Sequence, residues 1–296
     1  MKKLFQKECL PTPFFVFVCA LLFTSGCKSK EELSPEGYQI NKPEVIQLGK
    51  VLNEISGICY NRENGDLLAI SDSKEQVFEL DVRNSKLKDY TEKIVPPDSD
   101  LEDVVKINAT LYLLMSRGEI VEIPEKAKDT VGMKSYALNL GGQNDFETLY
   151  YDPTVDGLIM MCKNCASEKG TGMRTAYRFD LKTKRFDSTA FYTISREDVK
   201  AAAKDPDAKF EPSAAAVHPI NKRLYILSSA GNLLVVADTR GKVSQAFVLD
   251  KDRYPQAEGI AFAPNGTMFI TNEKKFDKAT LMVFPYQQTN AKEKKK

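Results

Sequence analysis

The sequence predicts an all-β fold, a five-bladed β-propeller of four-stranded blades in which an N-terminal strand closes the last blade. Three observations carry this. Five segments share one plan, their starts lie 48, 45, 64 and 47 residues apart, and the fifth is one strand short. That period is too long for leucine-rich or hexapeptide solenoids and matches propeller blades.

Each segment opens on an acidic residue leading a short apolar strand: Glu54 to Ile58, Glu102 to Val105, Glu147 to Tyr150, Glu211 to Ala214 and Glu258 to Ala261. A turn follows in every case, at Asn61 to Gly65, Asn108-Ala109, Asp152 to Gly157, His218 to Lys222 and Pro264-Asn265-Gly266. These are hairpin residues, able to adopt the left-handed backbone or to cap a turn with a short side chain. A second strand comes next, Leu67 to Ser71, Thr110 to Met115, Leu158 to Cys162, Arg223 to Ser228 and Thr267 to Thr271, rich in branched, Leu or aromatic residues. Third strands follow, as at Gln76 to Leu80 and Leu233 to Ala237.

The long third interval contains a helix-like insertion near 195–204, with Ser195 as its cap and Glu197 and Asp198 in its first turn. The last repeat ends near Tyr286 without a fourth strand, which Glu44 to Leu48 can supply. Closing the ring this way removes exposed edges. The propeller is expected over 44–288, with a disordered tail at 289–296 ending in three lysines.

Residues 1–26 have the form of a secretory signal: Lys2, Lys3 and Lys7 precede an apolar run from Phe14 to Phe23, too short to span a bilayer. Thr24-Ser25-Gly26-Cys27 resembles a lipobox, with Thr24 where Leu is usual, and marks Cys27 for lipidation at the head of a tether over 27–43. Lys28-Ser29-Lys30-Glu31-Glu32 is similar to the sorting tag of some Bacteroidetes surface lipoproteins, and equally has the composition of a solvated linker. The expectation is an outer-membrane lipoprotein of a Gram-negative bacterium, on the cell surface or the periplasmic face, partnered with the membrane through its lipid anchor and otherwise monomeric. Cys162 and Cys165 are spaced for a short-loop disulfide or half a zinc site, and no second Cys or His pair exists to complete four ligands. Cys59 is expected as a buried small residue.

Forty-two basic and 41 acidic residues leave a formal charge of +1, so no global field draws nucleic acid. The single histidine, His218, lies in a turn on the face opposite the strand starts, which argues against a Ser-His-Asp hydrolase. Gly141-Gly142 and Gly170-Thr171-Gly172 lack the strand-to-helix context of a phosphate loop.

Asp100-Leu101-Glu102-Asp103, Asp145 to Tyr150, Gln256 to Ala261, the Ala263 to Gly266 turn and Thr271-Asn272-Glu273 together resemble the SdiA-regulated family of bacterial envelope propellers, over about Glu54 to Phe284. The resemblance implies a propeller fold and no particular activity. A more distant likeness connects that family with esterase-like phytases and calcium-dependent lactonases, and fold analogy alone transfers no chemistry.

The strand starts and the loops between second and third strands share one face of a propeller. This predicts an inner ring of Glu54, Glu102, Glu147, Glu211 and Glu258, and outer loop residues Asp72, Arg117, Lys163, Ser229 and Glu273 for ligand contact. Converging carboxylates need a cation, a proton or an N–H donor. Calcium, which takes six to eight oxygens without histidine, is the cation they suit. The competing reading makes the same glutamates staples that accept backbone hydrogen bonds from neighbouring blades, with Arg117 and Lys163 neutralising them. No catalytic residue is assigned. The functional expectation is a binding module for a small ligand, glycan or protein partner; the alternatives are a calcium-dependent hydrolase of an ester, lactone or phosphoester, and a structural envelope protein.

Overall fold

The structure is a computed structural model that describes residues 33–74, 76–91, 100–124, 132–275 and 277–288. The signal segment, Cys27, the start of the tether and the tail lie outside the described residues.

Five antiparallel four-strand units follow one another around a ring. The first blade is β2 (Ile55–Tyr60), β3 (Leu67–Ser71), β4 (Phe78–Asp81) and β5 (Lys86–Asp89). The second is β6 (Leu101–Ile107), β7 (Thr110–Met115), β8 (Glu119–Pro124) and β9 (Lys134–Ala137). The third is β10 (Asn144–Asp152), β11 (Gly157–Cys165), β12 (Met173–Asp180) and β13 (Arg185–Phe186), with β14 (Tyr192–Ser195) pairing a further stretch of β12. Helix α1 (Arg196–Ala203) leads into the fourth, β15 (Ala214–Val217), β16 (Leu224–Ser228), β17 (Leu233–Ala237) and β18 (Val243–Val248). The fifth is β19 (Ala257–Phe262), β20 (Met268–Asn272) and β21 (Thr280–Phe284), completed by β1 (Glu44–Gln47). Glu44 pairs with Val283 and Gln47 with Thr280, so the first strand closes the last blade and the ring.

Burial follows strand position. β3, β16 and β20 are buried at every residue, since blades stack on both of their faces. The outermost strands β5, β9 and β1 are mostly exposed, and the lysines of β5 and β9 protect their open edges against pairing with another chain. Cys59 is half-buried, not fully buried: it lines a cavity together with Ile58, Tyr60 and Val105. The hairpin joining first and second strands has one residue with positive φ in every blade: Gly65, Asn108, Asp156, Lys222 and Gly266. At Gly266 a Cβ would also lie 2.8 Å from the ring of Tyr286.

The N-terminal segment packs under the ring. Tyr38 donates to Gly266 O at 2.6 Å and meets His218 Nε2 at 2.6 Å, and Tyr254 donates to Ile40 O at 2.6 Å. His218 is fully buried, and its Nδ1 accepts from the N–H groups of Ile220 (3.1 Å) and Asn221 (3.0 Å). That fixes the proton on Nε2 and makes the histidine a strut between its own turn and the N-terminal segment. α1 starts at Ser195, whose Oγ accepts from Asp198 N–H at 3.3 Å.

Candidate functional site

The strand registers set the levels of the channel. Each inner strand except β15 carries a bulge near its start, and every inner strand can be aligned through its pairing with the second strand. Glu54, Asp100, Asp145, Glu211 and Gln256 then share one level. Ser56, Glu102, Glu147, Ser213 and Glu258 share the next one down, two residues further along. The five predicted glutamates therefore occupy two tiers and not one ring: Glu102, Glu147 and Glu258 lie in the lower tier, Glu54 and Glu211 in the upper. The reason is local. The first and fourth blades carry Glu at the upper position and Ser two residues on, while the second, third and fifth carry Glu at the lower one, so aligning repeats on their glutamates shifts the first and fourth blades by two residues.

One residue below the lower tier, Asp103 accepts from Val104 N–H and Leu149 N–H, both at 2.8 Å, bridging the second and third blades. In the fourth blade Ser213 Oγ donates to Ala257 O at 2.8 Å and so ties it to the fifth. Next comes a buried apolar plug of Ile58, Val104, Leu149, Ala215 and Ile260. The channel is thus a pocket with a dry floor. Its cavity, about 300 Å³, is lined by Glu54, Asp72, Glu102, Glu147, Glu258 and Glu273 together with Lys163. Ser229 borders it, its hydroxyl bonded to Glu258. Two predicted residues point elsewhere: Glu211 lines a neighbouring cavity beside α1, and Arg117 a cleft at the side. Arg117 is one residue past the equivalent of Asp72 and Lys163, which in the second blade is Ser116.

Six carboxylates around one lysine leave the cavity strongly acidic. Lys163 pairs with Glu147 Oε1, and its backbone is held by the Cys162–Cys165 disulfide on either side. Burial above the apolar floor, reinforced by neighbouring carboxylates, pushes the Glu102 carboxyl up to about 9 and that of Glu147 up to about 8; Glu258 rises to about 7 from burial first. Asp72, Asp145 and Glu273 are raised too, again by burial first.

Glu102, Asp145 and Glu147 each place an oxygen within 4.8 Å of the others, a spacing that fits a shared metal ion. Glu147 Oε2 is buried and has no hydrogen-bond partner among the described residues. Asp145 was absent from the sequence expectation, yet a signal existed: Asp100-Leu101-Glu102 and Asp145-Phe146-Glu147 repeat Asp-x-Glu with both carboxylates on one face of a strand.

Among curated proteins, none matches the sequence. Among solved structures the fold is similar to a glucose dehydrogenase, with TM-score 0.54 and 10% identity over 83% of this chain and 100% of that one. A luciferin-regenerating enzyme matches with TM-score 0.51 and 11% identity over 83% and 96% of the two chains. Regucalcin from Agrobacterium tumefaciens, described as a calcium-binding protein, matches with TM-score 0.50 and 11% identity over 85% and 95%. At such identities the likeness concerns the fold. The profile of the SdiA-regulated family matches residues 31–276, in agreement with the five-blade ring, and the chain belongs to that family.

Proposed function

We propose that this protein is an envelope-anchored binding module, lipidated at Cys27 and held on the outer membrane, whose acidic pocket takes a divalent cation, calcium, as part of its ligand site. The observation that carries the reading is Glu147 Oε2, a buried acceptor without a partner beside Glu102 and Asp145. A buried, unpaired carboxylate oxygen is costly, and a cation removes the cost. Interblade stapling is done by Asp103 and Ser213, which leaves the glutamates available for a ligand. Calcium suits the donor set better than magnesium because carboxylates on three oxygens, completed by water or ligand, satisfy its flexible geometry. Regucalcin shows that calcium binding occurs on a propeller of similar fold.

Calorimetric titration of the full chain in detergent with calcium tests this. One ion per chain is expected, with loss of binding in Glu102→Gln, Glu147→Gln protein. Absence of binding by a folded wild-type chain refutes the cation. Calcium-dependent turnover of an ester, lactone or phosphoester, abolished by the same variant, replaces the binding module with a hydrolase.

A further inference from the structure

Beside the channel mouth, between the second and third blades, lies a cleft of about 1110 Å³, somewhat larger than most small-molecule sites. Its walls are mostly polar, with Leu138, Leu140 and Ala166 among them, and none of its lining residues is aromatic. That composition disfavours apolar ligands and neutral sugars, which gain much of their affinity from aromatic faces.

Two buried polar atoms in this wall have no partner among the described residues, and they are of opposite kind. Arg196 Nε is an orphan donor and Asn144 Oδ1 an orphan acceptor. The Asn144 amide is fixed in orientation, since its Nδ2 donates to Leu140 O at 3.3 Å and Gly142 O at 3.2 Å. Its oxygen therefore awaits a hydroxyl or N–H. Arg196 lies near Arg174, whose own charge is balanced by Glu168 at 3.0 Å, and the two guanidinium groups repel. Glu168 and Glu211 both offset Arg174, while Arg117, Lys169 and Arg196, which line the same cleft, have no ion-pair partner among the described residues. At the other end the walls are Glu102 and Asp145, acceptors for hydroxyl groups. A second cavity of about 360 Å³ continues past Arg174 and Arg196 to Lys200 and Lys209, so an extended ligand has room.

We propose that this cleft binds an acidic saccharide, its carboxylates met by Arg196 and Arg117 and its hydroxyls by Asn144, Glu102 and Asp145. Guanidinium groups match a carboxylate in geometry and charge, and amide and carboxylate oxygens accept the hydroxyls. This deepens the binding-module part of the reading above; it shares Glu102 and Asp145 with the cation site and does not require the cation.

The test is calorimetry on the full chain in detergent with EDTA present throughout, using tetragalacturonate, glucose 6-phosphate and maltotetraose as probes. Tetragalacturonate is expected to bind, more weakly as salt is raised, while maltotetraose does not. Arg117→Gln, Arg196→Gln protein with an unchanged thermal midpoint should bind it roughly tenfold more weakly. The proposal is overturned by equal binding of maltotetraose, by binding of glucose 6-phosphate alone, by absence of tetragalacturonate binding, or by salt-insensitive affinity. Unchanged affinity in the double variant overturns it as well. Because chelator is present, failure of the cation reading leaves this result standing, and a calcium titration without saccharide tests that reading separately.

Discussion

Asp103 in β6 accepts a hydrogen bond from the backbone N–H of Leu149 in β10, 2.8 Å away, and so fastens the inner strands of two blades below the acidic pocket. Space for it is made by Gly57 in β2, where a Cβ would lie 2.4 Å from Asp103 Oδ1. Replacing Asp103 by Ala leaves two buried N–H groups unsatisfied and a small void, at a cost of about 3 kcal/mol. Asp103→Asn keeps one acceptor and should lose about half of that. Urea unfolding of both variants checks the order; equal losses would show that the hydrogen bonds contribute little.

The five-blade fold was legible because the hairpin turns and buried second strands recur with the blades, and both follow from local chemistry. The pocket was legible only in part. Glutamate occurs on two levels of the channel, and the inner-strand bulges, as between Leu101 and Asp103, leave no mark in residue type. Aligning by letter therefore placed Glu54 and Glu211 beside Glu102 and passed over Asp145. The stapling expected of the glutamates belongs to Asp103, whose neighbour across the blades, Leu149, is 46 residues away and invisible to a local pattern. Cys162 and Cys165 form a disulfide, one of the two roles their spacing allowed.

The raised carboxyls make stability depend on pH in a definite direction. Glu102 and Glu147 ionise from an ordinary value of 4.5 when unfolded, but near 9 and 8 when folded. Between these limits the native state holds more protons than the unfolded state, so their favourable contribution is complete below about 4.5 and is lost as pH rises toward 9. In EDTA the thermal midpoint should fall across that window, and calcium should restore it at the alkaline end. Glu102→Gln should flatten the fall and raise the midpoint at alkaline pH. A midpoint that rises with pH in EDTA, or a Gln variant less stable than wild type there, contradicts the assignment.

Lys163 competes with a cation for Glu147. Lys163→Gln removes the only basic group lining the pocket among the described residues, and calcium should then bind about tenfold more tightly, the effect of one nearby charge in a partly screened site. The same change should destabilise the calcium-free protein above about pH 8, where Glu147 is ionised and loses its partner. Calcium affinity measured by calorimetry on the two proteins decides it; weaker binding in the variant would make Lys163 a support for the site, not a competitor.

His218 should act on the opposite limb of the pH profile and leave the pocket untouched. Burial first, and then Lys222, lowers its ionisation from 6.5 to about 4, so the neutral ring is the folded form. The unfolded chain takes up a proton as pH falls below about 6.5 and the native chain does not, so this stabilisation is present above 6.5 and fades on the way to 4. The ring is also packed between Tyr225 at 5.5 Å and Phe262 at 4.8 Å, and its Nε2 meets the Tyr38 hydroxyl. His218→Ala removes both packing and hydrogen bonds, with an expected loss of about 3 kcal/mol. The acid limb of the stability profile should become shallower in this variant, while calcium affinity at neutral pH stays within about twofold, since His218 lies on the far side of the apolar plug and no charge changes there. Parallel unfolding and calcium titrations separate the two effects, and a large drop in calcium affinity in a folded His218→Ala protein would mean that the histidine face and the acidic face are coupled through the ring.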